Sequence, residues 1–349
     1  MDSDARIRAS FAEQGRWCGR LGSPFTALLC ATLAEALDRT APVGARVLDW
    51  PGDPAPAADA LALRLCGGLH GLVLGGSAPD LAALYPPAPL PEAAALRRAL
   101  APVLASDTLL PWLASAPQTN EVGRSAVLMA GLHVVAARFA QPILLYELGA
   151  SAGLNLQLDR YGFDLGGLRA GESGSPVCLA PLWTGPPPPA AEVRIAGRRG
   201  CDLNPLDPRR DADKLLAYLW PDQQARLASA RSALAIAAAD PPPVDAGDAA
   251  DWIEAQIRPA SPHGVTRAVV HSVAFQYFPA PAQARIVRHL ARIGAAADRD
   301  APLAWLRFEK RPEDERFSLR LRTWPGTEEL LAWAHPHATT VEWLDRKPS

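Results

Sequence analysis

The sequence predicts an α/β fold, a mostly parallel sheet behind an all-helical N-terminal cap, on three observations. Residues 1–115 read as helices with proline-rich joints and contain no convincing strand. Beyond residue 142 apolar strand-like runs alternate with helical stretches, the pattern of a sheet covered on both faces. At the junction stands PILLYELGASAGLNL, in which an apolar run from Ile143 to Tyr146 ends in Glu147 and is followed by Gly149, Ser151 and Gly153. Strand, glycine-rich turn and helix in that order put backbone N–H groups and a helix N-terminus towards a ligand.

Each element has its own reason. Ser23-Pro24 is an N-cap with proline at the first helical position, opening a helix over Phe25–Leu37. Asp53–Gly75 and Pro91–Leu104 are further helices of the cap, and Asn120–Ala140 leads into the strand at Ile143. Its polar opening, QTNEVGR, reads as a capping cluster with Thr119 or Asn120 as the cap. Ala191–Ile195 starts a second strand that continues to Asp202, and Asp211–Leu219 and Asp222–Ala239 are helical. Val244 is a short strand before Gly247-Asp248, with a helix over Asp251–Ile257. Strand Thr266–Val273, helix Pro281–Ala297 and strand Pro302–Phe308 follow, and two strands, Phe317–Thr323 and Thr339–Trp343, flank a short helix from Thr327. The insertion at 162–190, with Pro186 to Pro189 consecutive, is too long for a simple connection and reads as a lid or a side hairpin. The expected domains are therefore 1–115 and 116–349.

Composition narrows the function. With 35 basic and 37 acidic residues in 349, a net charge of -2 gives no footprint for nucleic acid or an anionic membrane. No apolar run reaches the length of a membrane span, and the N-terminus lacks the basic-then-apolar layout of a secretory signal. Cys18, Cys30, Cys66, Cys178 and Cys201 form no Cys-x-x-Cys pair and read as reduced thiols, so a cytoplasmic location is expected. His335 and His337 lack an accompanying acid or thiol pattern, and no metal site is expected.

Two chemistries use a turn such as Glu147–Gly153. As Glu-x-Gly-x-Ser-x-Gly it is a cofactor-binding turn; as Gly149-Ala150-Ser151-Ala152-Gly153 it is a nucleophile elbow. A cofactor half needs a second acid at the tip of the next strand to accept ribose hydroxyls, and Asp202 in RRGCDLNPLD is the candidate. It lies far beyond the usual spacing of about 20 residues, an excess the 162–190 insertion accounts for. The competing reading is a turn cap. Asp248 stands where an adenine amino group would sit, and equally where a helix N-cap belongs. His271 and Glu309 end the fourth and fifth strands, on the edge where open α/β sheets bind ligands, although a histidine in an apolar strand is commonly a core residue. Arg124 would hold a carboxylate bidentately or pair with a surface acid such as Glu121.

The segments QTNEVGR, ELGASAGLNLQLDRYGF, GCDLNPLD and LWPDQQAR together resemble a bacterial family, domain of unknown function 2332, over most of the chain. More loosely, the chain resembles class I S-adenosylmethionine (SAM) methyltransferases. Glu147, Gly149 and Gly153 match their first motif with Ser151 in place of its middle glycine; Asp202 matches the ribose-binding acid and Asp248 the adenine contact. That resemblance implies a Rossmann-like class I methyltransferase-type sheet, SAM as cofactor, Arg124 on its methionyl carboxylate and a small-molecule acceptor, with His271 or Glu309 as base. Two alternatives stand beside it. One is a serine hydrolase with Ser151 as nucleophile, Asp245 or Asp248 as acid and His271 or His335 as base; the other is a non-catalytic ligand-binding protein of the same fold.

Overall fold

The computed structural model describes residues 3–258 and 262–345. They form two compact units: Met1–Thr119 with Asp211–Ala228, and Asn120–Arg210 with Ser229–Ser349. Among the described residues no helix is long and apolar enough to cross a membrane.

The first unit is helical. Its longest members are Ser3–Arg20, Pro24–Ala36, Leu61–Leu74 and Ala93–Leu104. Ser23 caps the second of these by accepting from the Thr26 N–H, with Pro24 in the first turn where its missing donor costs nothing. Phe11, Phe25, Leu29, Leu33, Leu65 and Leu69 fill the core. The segment from Asp211 joins this unit through specific contacts. Asp222 accepts from Ser23 Oγ at 2.6 Å and from the Phe25 N–H at 2.8 Å. Asp222 thus reinforces the start of a helix far upstream in the chain.

The second unit is built on a sheet. Its strands are β1 (Ile143–Leu148), β2 (Gly162–Leu165), β3 (Leu168–Gly171), β4 (Cys178–Leu179), β5 (Leu182–Thr184), β6 (Ile195–Asp202), β7 (Val244–Ala246), β8 (Thr266–Ser272), β9 (Leu303–Glu309), β10 (Phe317–Trp324), β11 (Glu328–Ala334) and β12 (Thr340–Trp343). Nine of them form one sheet in the order β5-β12-β11-β10-β9-β8-β1-β6-β7, and β3-β2-β4 form a second, small sheet. The stretch from β9 to β7 is parallel throughout. Counted in chain order without the insertion, those five strands run 3-2-1-4-5, so the direction of winding reverses between β1 and β8. The insertion at 162–190 supplies the small sheet and β5, which pairs in parallel with β12 at the far edge.

One element differs in kind from its sequence reading. The short helix expected from Thr327 is a strand, β11, pairing antiparallel with β10 and β12. Glu, Leu and Ala in EELLAWA favour helix locally, but ladder partners on both sides outweigh that preference. The closing part of the sheet is consequently a meander from β9 to β12 rather than a strand–helix–strand unit.

Helices cover both faces of the parallel strands. On one face lies Arg124–Phe139, where Gly131 lets Leu306 approach so closely that a Cβ would sit 2.5 Å from its methyl. On the other, Ala249–Gln256 and Ala280–Ala295 bury Trp252, Ile253, Ile286 and Leu290 against Leu148, Cys201, Val269 and Trp305.

Candidate functional site

The glycine turn is best understood by asking where its backbone donors go. The N–H groups of Gly149 and Ala150 both donate to the Cys201 carbonyl at 2.9 Å, and that of Gly153 donates to the Ala150 carbonyl at 2.7 Å. The Ser151 N–H donates to Asp202 Oδ2 at 2.9 Å. Asn120 Oδ1 accepts the remaining two, from Ala152 at 3.2 Å and Leu154 at 2.9 Å. Every N–H from 149 to 154 therefore has an internal acceptor. Asn120 was expected to cap the helix that follows it; instead its side chain caps the short 3-10 helix Leu154–Arg160, and the helix at Arg124 starts from Gly123 without a side-chain cap. A carbonyl oxygen offers two lone pairs, so one buried asparagine satisfies two donors that no nearer residue reaches.

The glycines of the turn have structural reasons of their own. Gly149 has φ +71°, and a Cβ there would lie 2.6 Å from the Ala274 Cβ. Gly153 has φ +73° and would clash with Pro242 at 2.6 Å. The close approach that fixes Gly149 in this structure is that of Ala274, where sequence reasoning expects a ligand. Ser151 also has positive φ, +54°, and its buried Oγ makes no hydrogen bond.

Glu147, level with Val270 and Gly200 in the sheet register, is 1% exposed. Its Oε1 receives a long 3.5 Å contact from the Asn155 amide, whose own Oδ1 accepts from Ser125 Oγ at 2.7 Å. Glu147 Oε2 is buried without a hydrogen-bond partner. Burial pushes its pKa up to about 8; Asn155 opposes the shift, the Asp202 charge adds to it and Arg124 opposes it. Arg124 lies at the start of its helix, with Nε donating to the Pro336 carbonyl at 2.9 Å and Nη1 to the Ser272 carbonyl at 3.2 Å. Its guanidinium thus spans from the end of β8 to the turn after β11.

The two aspartates expected to touch a nucleoside both make structural bonds. Asp202, besides holding Ser151, accepts from the Asn204 N–H at 2.9 Å, so it straps the turn to the end of β6. Asp248 caps Ala249–Gln256, accepting from Ala250 at 2.9 Å and Asp251 at 3.1 Å. Asp245 is held by Arg199 and by Trp252 Nε1 at 2.7 Å, and the Arg199 guanidinium keeps its carboxyl below the usual range.

A second cluster lies at the ends of β8 and β9. His271 Nδ1 is 2.7 Å from Glu309 Oε1, which also accepts from the N–H groups of Ala274 at 3.0 Å and Phe275 at 3.1 Å. A carboxylate acceptor places the proton on Nδ1 and leaves Nε2 with its lone pair. His271 is 1% exposed, stacked on the Phe275 ring at 4.9 Å and leaning on Trp305. Its Nε2 and Glu309 Oε2 are both buried without hydrogen-bond partners. The acid that orients His271 is Glu309, not Asp245 or Asp248. His335 packs edge-on against His337 in the turn after β11. Among the described residues no group of three or more His, Cys, Asp or Glu is arranged to hold a metal ion.

The candidates therefore fall into two groups along one edge. Glu147, Asp202, Ser151 and Arg124 surround the turn on the side of helix Arg124–Phe139. His271 and Glu309 sit among the aromatics packed with helix Ala280–Ala295. Asn120, Ser125, Asn155 and the segment Val273–Phe278 complete the groups, and sequence reasoning passed over their roles. The available signal was a polar side chain inside an apolar run, as in LNLQL and RSAVLM. Chemically, a turn with all donors engaged offers nothing to a pyrophosphate, whereas the unpartnered Oε2 of Glu147, a carboxyl protonated below about pH 8, is left to make one further polar contact.

A family model described as "Uncharacterized protein conserved in bacteria (DUF2332)" matches residues 8–343. No curated protein and no solved structure matches the chain.

Proposed function

We propose, from the premise that this chain belongs to that bacterial family, that it is a cytoplasmic SAM-dependent methyltransferase of the class I type acting on a small-molecule acceptor. The observation that carries the reading is the buried Glu147, with one carboxylate oxygen unpartnered, at the end of the strand beside which the winding of the parallel sheet reverses. Open α/β sheets bind ligands in the crevice at such a reversal. When bound, SAM supplies a methyl group on a sulfonium for in-line displacement. The chain's part is positioning. Glu147 would accept the methionyl ammonium, Arg124 would face its carboxylate, and Asp202 and Asp248 would stand towards the ribose and adenine. Gly149, Ser151 and Gly153 shape the turn over which the ligand lies. His271 and Glu309, at the ends of β8 and β9 and on the other face of the sheet from Glu147, would be the acid–base pair for an acceptor that must lose a proton. The near-neutral charge supports a small acceptor rather than nucleic acid.

Calorimetric titration with SAM, S-adenosylhomocysteine and NAD tests this directly. Binding of the first two and not of NAD is expected; absence of heat with both sulfur nucleosides rejects the reading. Binding without turnover on any acceptor would leave a non-catalytic ligand-binding protein. The left-handed backbone and unbonded Oγ of Ser151 favour a hydrolase as the second reading. Stoichiometric labelling by a fluorophosphonate, lost in Ser151→Ala, would establish it in place of the first.

A further inference from the structure

The pair His271–Glu309 is built asymmetrically, and the asymmetry divides the roles. Glu309 spends one oxygen on three donors at once: His271 Nδ1 and the N–H groups of Ala274 and Phe275. It fixes the imidazole tautomer and, in the same act, ties down the start of the segment that follows β8. His271 keeps its lone-pair nitrogen unpartnered, and what lies against the ring is the face of Phe275. That segment enters through Val273 at φ +52°, a left-handed conformation that a β-branched residue rarely adopts. Strain of this kind persists where surrounding contacts over-determine it and is concentrated at functional and switching sites. The segment ends with Gln283 Nε2 donating to the carbonyls of Phe275 at 3.0 Å and Phe278 at 2.9 Å, while Tyr277 between them is 68% exposed.

We infer that His271 Nε2 is the group that takes the acceptor's proton, that Glu309 is its positioning residue, and that Val273–Phe278 is the cover that swings aside to admit the acceptor. This deepens the methyltransferase reading and rests on it only for the identity of the methyl donor. The acceptor class is a neutral N–H or O–H nucleophile. Its proton passes to Nε2 as its electron pair forms the new bond to the methyl carbon, and the carbon–sulfur pair stays on the departing sulfur. The imidazolium so formed is balanced by the Glu309 carboxylate across Nδ1–H and later releases its proton to water. Arg124 donates to the carbonyl of the neighbouring Ser272. Arg307, level with His271 on β9, is bonded to Glu328, and Arg285 on the covering helix is bonded to Glu254 and Asp251. Glu147 lies on the opposite side of the sheet, among Asn155 and Ser125.

The test is carbethoxylation of the full chain by diethyl pyrocarbonate, which attacks the neutral imidazole nitrogen, with the modified histidine located and its rate followed by peptide mapping. Exposed His263 serves as the internal control. His271 is expected to react in the wild type, more slowly than His263, and roughly tenfold faster in Phe275→Ala, the effect of losing one ring contact over the site. In Glu309→Gln the charged acceptor that fixes the imidazole and holds the N–H groups of Ala274 and Phe275 is gone, and the rate of His271 modification should change several-fold while that of His263 does not. His271 unreactive in both wild type and Phe275→Ala while His263 reacts would overturn the proposal and leave a sealed core histidine. An unchanged His271 rate in Glu309→Gln would remove the positioning role. If Glu309→Gln does not fold, the Phe275→Ala comparison still decides whether Nε2 is reachable. None of these readouts needs SAM, so a failed SAM titration with a positive result here rejects the methyl donor and keeps the base.

Discussion

The end of β1 and the ends of β8 and β9 face the same edge of one sheet, yet they handle polar atoms in opposite ways. At the first, a glycine turn directs its N–H groups into the carbonyls of Cys201 and Ala150 and the side chains of Asp202 and Asn120, so two side chains serve largely to satisfy backbone. At the second, a histidine and a glutamate satisfy each other on one side only and keep Nε2 and Oε2 unpaired beneath an aromatic cover. The first is armature, and the second leaves two buried polar atoms without partners. A glycine-rich turn after a strand is thus no ligand site by virtue of its sequence; the accounting of its donors decides. Glu147 is the exception within the armature, a buried acid with one oxygen unpartnered, and it joins the two descriptions.

Breaking the armature should cost folding before it costs anything else, and the largest loss is expected at Gly149. Gly149→Val sets a β-branched side chain at φ +71° and drives it into Ala274. Overpacking and left-handed strain together should destabilise the protein by roughly 4 kcal/mol. Urea denaturation reads this, and a stable variant would mean that the cover moves freely away from the turn.

Glu147 gives the next largest effect, and it is a pH effect. Its folded pKa of about 8 lies above the ordinary value of 4.5. Between those values the folded state holds more protons than the unfolded chain, so stability falls as pH rises through the window and levels off above it. Glu147→Gln should flatten that fall, a difference of roughly 3 kcal/mol between weakly acidic and alkaline pH. Urea midpoints at pH values either side of the window measure it; parallel wild-type and variant curves would show that the buried carboxyl is ordinary.

Asn120→Ala should cost about 2 kcal/mol, since it leaves the buried N–H groups of Ala152 and Leu154 without an acceptor. The smallest effect separates strap from ligand contact. Asp202→Ala should lower stability by about 1 kcal/mol through loss of its bonds to Ser151 and Asn204. Thermal melts with and without S-adenosylhomocysteine then decide its second role. A ligand-induced shift that shrinks in the variant supports ribose binding, and an unchanged shift makes Asp202 structural only.

Much of this molecule is legible in the chain by itself. The helical character of residues up to about 115, the strand ending at Glu147, the parallel strands that follow and the cap at Ser23-Pro24 all rest on local signals: hydrophobic period, turn residues and a proline where no donor is needed. So does the family, because long motifs carry kinship in their residue order. Tertiary structure alone decided the rest. EELLAWA becomes β11 because β10 and β12 offer ladders on both sides, which no local propensity encodes. Asp211–Ala228 joins the first unit because Asp222 finds Ser23 and Phe25. Asn120 caps a helix more than thirty residues downstream, and His271 finds its acid in Glu309, a strand away. Periodicity reports which face of an element is apolar; it does not report which distant donor meets which acceptor. That pairing is fixed only when the strands take their places side by side, because a buried polar atom accepts whichever partner the packing brings within reach.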